Sequence, residues 1–71
     1  MDNQVYKVVE IVGASEKSVE DAIQAAITRA SQTLEGLGWF QIVETRGSII
    51  DGRIGQYQVV LKVGFHLQGR G

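Results

Sequence analysis

The chain has 71 residues, 44% of them hydrophobic and 21% charged, which makes it one small domain at most and too apolar to be disordered. Seven basic residues against eight acidic ones give a formal net charge of −1, with no basic block to neutralise phosphates, which argues against a dedicated nucleic-acid binder. No cysteine and one histidine are present, so disulfides, thiolate metal sites and a histidine-rich zinc site are excluded.

Residues 4–12, Gln-Val-Tyr-Lys-Val-Val-Glu-Ile-Val, are rich in β-branched side chains and close at Gly13, which predicts a first strand. Ser15 or Ser18 then offers an N-cap, with Glu16, Glu20 and Asp21 placing negative charge at the start of a helix. Val19, Ala22, Ile23, Ala26, Ile27, Ala30, Leu34 and Leu37 recur at the spacing of one helical stripe, and Gln24, Thr28, Gln32 and Glu35 fall opposite. The spacing predicts an amphipathic helix of about 18 residues, roughly 27 Å long. Gly36 and Gly38 can end it with a left-handed cap.

Residues 39–50 form a second strand candidate, and Asp51-Gly52 is a strong hairpin signal. In the third strand Tyr57, Val59, Leu61, Val63, Phe65 and Leu67 point one way, and Gln56, Gln58, Val60, Lys62 and His66 the other. These two strands would extend about 40 and 50 Å, well past the helix, so they must twist around it. The predicted fold class is α+β in the order βαββ, a three-stranded antiparallel sheet wrapped around one helix. Residues 1–71 are expected to form this single domain.

So small a chain is marginal alone. Apolar burial is worth roughly 105 kcal/mol at about 25 cal/mol per Å², and ordering the residues at about 1.5 kcal/mol each costs almost as much. Oligomerisation is therefore the expected source of stability. No apolar run approaches the eighteen or so residues of a membrane span, and Met1-Asp2-Asn3-Gln4 lacks the charged and apolar regions of a signal peptide. A cytoplasmic location with no membrane partner is expected.

The sheet face turned away from the helix is the informative one. If the helix covers the Tyr57-to-Leu67 set together with Phe40 and Ile42, then Trp39, Gln41 and Val43 share the other face with Gln56, Gln58, Val60 and Lys62. That mixture suits a subunit interface or a ligand surface. Trp39 reads either as an interface anchor or as a stacking platform for a flat aromatic ligand. The Gln58 carboxamide offers a donor beside an acceptor, which suits a ring edge carrying C=O and N–H groups. Arg46 and Lys62 are candidates to steer or bind a phosphate. His66, Thr45 and Ser48 form no nucleophilic motif, Glu44 and Asp51 have nothing to fix them as an acid–base pair, and the nine glycines form no phosphate loop. No enzyme is expected.

Val5-Tyr6-Lys7-Val8-Val9-Glu10-Ile11-Val12-Gly13, Ala22-Ile23 with Ala26-Ile27-Thr28-Arg29-Ala30, Leu37-Gly38-Trp39-Phe40, Glu44-Thr45-Arg46-Gly47 and Tyr57-Gln58-Val59-Val60-Leu61-Lys62-Val63-Gly64-Phe65 together resemble a bacterial dodecin, in order through residues 5–67. The resemblance implies a hollow homododecamer of βαββ subunits that binds flavins, FMN or riboflavin, as stacked pairs between symmetry-related tryptophans. It also implies flavin storage, buffering and photoprotection rather than catalysis. By the same resemblance Trp39 matches the stacking tryptophan, Gln58 the glutamine at the isoalloxazine edge, and Arg46 an arginine near the flavin. His66 stands where many bacterial members carry arginine, Gly38 where an acid or amide is common, and Gln68 in place of an acid. If that arginine helps to hold a phosphate, His66 weakens the contact as pH rises. The alternative reading is an oligomeric structural module with no small-molecule ligand.

Overall fold

A computed structural model describes residues 3–67, so Met1, Asp2 and the Gln68 departure lie outside the described residues. The elements are β1 (Tyr6–Ser15), α1 (Val19–Thr33), β2 (Leu37–Ile50) and β3 (Arg53–His66). They form an antiparallel three-stranded sheet in the order β1-β3-β2 with one helix on one face, as the sequence predicts. Asp51 and Gly52 both take positive φ, 53° and 75°, the mirror-image turn that matches the right-handed twist of the β2–β3 hairpin.

Several boundaries differ from the sequence reading. The first strand continues through Gly13 to Ser15 instead of closing at the glycine. Gly13 is there for proximity: a Cβ on it would meet the Ala22 carbonyl and lie 2.9 Å from Ala26 Cβ, so its bare backbone lets the helix settle on β1. Of the two candidate caps Ser18 is the one used, its Oγ accepting from the Asp21 N–H at 3.0 Å. Ser15 braces the same turn, donating to Asp21 Oδ2 at 2.7 Å and accepting from the Lys17 N–H at 2.9 Å.

The helix itself has 15 residues, not about 18. Leu34 is already extended at φ −119°, ψ 138°, although its N–H still bonds the Ala30 carbonyl. Gly36 supplies the left-handed turn at φ +78°, and Leu37 starts β2 opposite Phe65. Leu34 and Leu37 still pack against the core, but by strand and turn geometry.

The core is Ala22 and Ala26 against Val59, Leu61 and Val63, with Val9, Ile11, Ile23 and Ile27 around it. The alanines bring α1 close to the sheet, and α1 packs mainly on β1 and β3. Consequently Phe40 and Ile42, although on the helix side as partners of Val63 and Leu61, stay exposed. Alternation found their face; it could not show that the helix sits off-centre.

Candidate functional site

The uncovered face of the sheet carries the residues singled out from the sequence. Cross-strand partners share a face, so the register can be read directly. Tyr6 lies opposite His66, Val8 and Trp39 flank Gly64, Glu10 and Gln41 flank Lys62, Val12 and Glu44 flank Val60, and Ala14 and Arg46 flank Gln58. All of these point away from the helix, because the intervening Val59, Leu61 and Val63 point into the core.

Arg46 reaches this face through a bulge. Strict alternation from Trp39 would turn residue 46 toward the helix. The register slips by one between Ile42 and Glu44, so that Val43 is the extra residue and Glu44 and Arg46 move to the open face. A second slip, between Leu37 and Trp39, places Gly38 beside the Tyr6 ring, with an added Cβ 3.4 Å from Tyr6 Cε2.

At one end of the face Trp39 lies across Gly64. A Cβ on Gly64 would collide with the six-membered ring of the indole and sit 2.7 Å from its Nε1, so the indole rests on bare backbone. Trp39 is nevertheless 42% exposed, and its free side is open. Tyr6 stands beside it with ring centroids 6.3 Å apart and planes at 52°, and His66 meets Tyr6 edge-on at 5.6 Å. The three rings form a continuous aromatic strip across the strands.

Toward the other end is a polar string. Arg46 Nη1 donates to Glu44 Oε2 at 2.7 Å, Arg46 Nε donates to Gln58 Oε1 at 3.1 Å, and Gln58 Nε2 donates to Gln56 Oε1 at 3.3 Å. The structure thus joins two of the three candidate residues, Gln58 and Arg46, by a hydrogen bond. It does not bring Trp39 to them within one subunit. Gly64 and Gln58 are six residues apart along β3, or about 20 Å at the rise of a strand.

Sequence reasoning does not place Tyr6 or Glu44 on this face. Tyr6 joins it only through the β1–β3 register, and Glu44 only through the bulge at Val43; neither is visible in a linear pattern. Two shallow hollows flank the helix. One of about 450 Å³ is lined by Ile11, Val12, Ala26, Arg29, Ala30, Thr33 and Leu34, and one of about 180 Å³ by Ile27, Leu37, Gly38, Trp39, Phe40 and Val63. Neither includes Gln58 or Arg46. A single subunit therefore presents an open aromatic surface at Trp39, with the hydrogen-bonded string of Arg46 and Gln58 displaced from it.

Comparison with known proteins agrees with this fold. The chain is 54% identical over 65 residues to the dodecin of Thermus thermophilus, covering 92% of this chain and 94% of that protein. The solved dodecin of Streptomyces davaonensis superimposes with a TM-score of 0.92 at 50% identity, over 96% of this chain and all of that one. A more distant structure, described as a calcium dodecin of Mycobacterium tuberculosis with a novel calcium-binding site, aligns with a TM-score of 0.79 at 29% identity over 94% of this chain and 96% of its own. The dodecin family model matches residues 5–68, nearly the whole length, and the chain belongs to the dodecin family.

Proposed function

We propose that this protein stores and buffers flavins, FMN or riboflavin, and protects them from photochemistry. The isoalloxazine ring stacks on the open side of Trp39, and two such flavins lie face to face between tryptophans of two-fold-related subunits. The assembly is a hollow homododecamer, and its setting is the cytoplasm. The observation that carries the reading is Trp39 itself: an indole packed over the bare backbone at Gly64, 42% exposed, on a sheet face no helix covers. A large aromatic surface backed on one side and left open on the other suits a stacking platform, and stacking adds about 0.5–1.5 kcal/mol beyond simple burial.

Gln58 supplies the ring edge with an acceptor beside a donor, and Arg46 fixes that amide. Because about 20 Å of strand separates Gln58 from Trp39 in one subunit, the glutamine that meets a flavin on Trp39 comes from another copy. An oligomer is thus part of the binding site in this reading. Capture between two tryptophans needs no proton transfer, so the protein acts by binding rather than by catalysis. An indole in contact with the excited flavin donates an electron and quenches it, which is the photoprotective step. Among the described residues no three His, Cys, Asp or Glu side chains converge as a metal site, and the calcium of the Mycobacterium protein is not carried over.

The test is a fluorescence titration of FMN, and separately of riboflavin, with the purified apo protein. Quenching that saturates near one flavin per chain is expected, and the ratio of the two affinities measures what the phosphate adds. No quenching at micromolar protein would sink the reading and leave an oligomeric scaffold without a small-molecule ligand.

A further inference from the structure

Glu44 has no part in the proposed stacking, yet it anchors the polar string that ends at Gln58. Its Oε2 accepts from Arg46 Nη1 at 2.7 Å, with the two side chains about half exposed at 52% and 47%. A surface ion pair of this exposure contributes little to stability, so its geometry is the more informative property. The guanidinium is planar and only donates. Pinned to Glu44 through Nη1, it turns Nε toward Gln58 at 3.1 Å. The Gln58 atom facing a donor must be its oxygen, so the amide is fixed with Oε1 toward Arg46 and Nε2 toward Gln56 Oε1 at 3.3 Å. A carboxamide can otherwise rotate by half a turn and exchange its donor and acceptor.

We infer that Glu44 is a positioning residue: through Arg46 it sets which end of the Gln58 amide is the acceptor and which the donor, and thereby matches Gln58 to one edge of a flat heterocycle. The inference rests on the proposal that Gln58 meets the flavin ring edge. With its orientation fixed, Gln58 keeps a free lone pair on Oε1 and a free hydrogen on Nε2, which fit a ring N–H flanked by a carbonyl. Without Glu44 the half-exposed arginine is released to solvent, both amide orientations become populated, and only one of them matches the ring.

The experiment is a double-mutant cycle in the assembled protein, read by quenching of riboflavin and of N3-methylriboflavin, whose ring N–H is blocked. Glu44→Ala is expected to weaken riboflavin binding about three- to tenfold, a coupling of ordinary size for groups in one hydrogen-bonded string. In a Gln58→Ala background the same change is expected to cost less than about twofold. The preference for riboflavin over its N3-methyl analogue falls in Glu44→Ala, and Glu44→Gln, which keeps an acceptor in place, retains most of it. Particle size and melting temperature, followed in parallel, are expected to stay those of the unmodified protein. An equal penalty with and without Gln58 would overturn the positioning role while leaving the flavin site standing. Failure of the unmodified protein to quench riboflavin removes the flavin reading itself, and this inference with it.

Discussion

At Gly64 the absence of one carbon atom decides where the indole of Trp39 can lie. Any Cβ there would overlap the ring, so Gly64→Ala must lift the indole or push the strands apart, an overpacking cost of about 1–3 kcal/mol. Denaturant unfolding measures it. In a Trp39→Ala background the obstacle is gone, and the same change should be close to neutral, since alanine suits a strand better than glycine; an undiminished cost there would show that the clash is with backbone. Trp39→Ala alone is expected to abolish most flavin quenching while leaving the assembly intact, as judged by particle size. Loss of assembly together with binding would make Trp39 an interface anchor instead. Counting alternate residues puts Trp39 and Gln58 on one face, and the register agrees. Arg46 could not be placed that way, because one extra residue at Val43 reverses the parity of everything after it. Nor does alternation convey distance along a strand, so the separation of Trp39 from Gln58 appears only once the ladder is known.

The helix illustrates what a local pattern can and cannot determine. Its start is written in short-range chemistry: Ser18 caps it, and Glu20 and Asp21 lie in the first turn, where negative charge is favoured. Ser18→Ala should therefore cost about 1 kcal/mol. Gly13→Ala should cost more, because its new Cβ meets the Ala22 carbonyl, a backbone group of α1 that cannot rotate away. Thermal melts of the two variants rank them, and a Gly13→Ala protein as stable as the parent would contradict the close helix–strand approach. The end of α1 is less legible. Leu34 and Leu37 continue the apolar spacing because both pack on the core, but the chain needs Gly36 at φ +78° to turn back and pair Leu37 with Phe65. Helical periodicity and core burial coincide there by tertiary packing, which spacing alone cannot separate from helix.

On the scale of the whole molecule, the subunit has a shape that a small monomer does not hold. It measures 56 × 20 × 14 Å with a radius of gyration of 15.0 Å, where about 11 Å is usual for this length. It exposes 5438 Å² against about 4,400 Å² expected of a 7.8 kDa monomer. Part of that surface lies where the β2–β3 hairpin outruns the helix: Ile49 is 78% and Ile54 65% exposed, with Ile50 between them and the turn. Isolated apolar side chains on a surface are ordinary, but Ile49 and Ile54, paired across one projecting ribbon on the face that also carries exposed Phe40 and Ile42, form a surface that other copies would cover. Stability then depends on association, and melting should shift upward with protein concentration as mass action requires. Replacing Ile49 and Ile54 together by aspartate places charge at that contact without touching Trp39, Gln58 or the core. The expected result, by light scattering, is a smaller particle that melts at lower temperature and has lost flavin quenching, because in the proposed composite site Gln58 comes from another copy. A variant that keeps the parent's particle size would show that the ribbon is not the contact. A dissociated variant that still quenches flavin as tightly as the parent would show instead that one subunit suffices for binding, and the composite site would have to be abandoned.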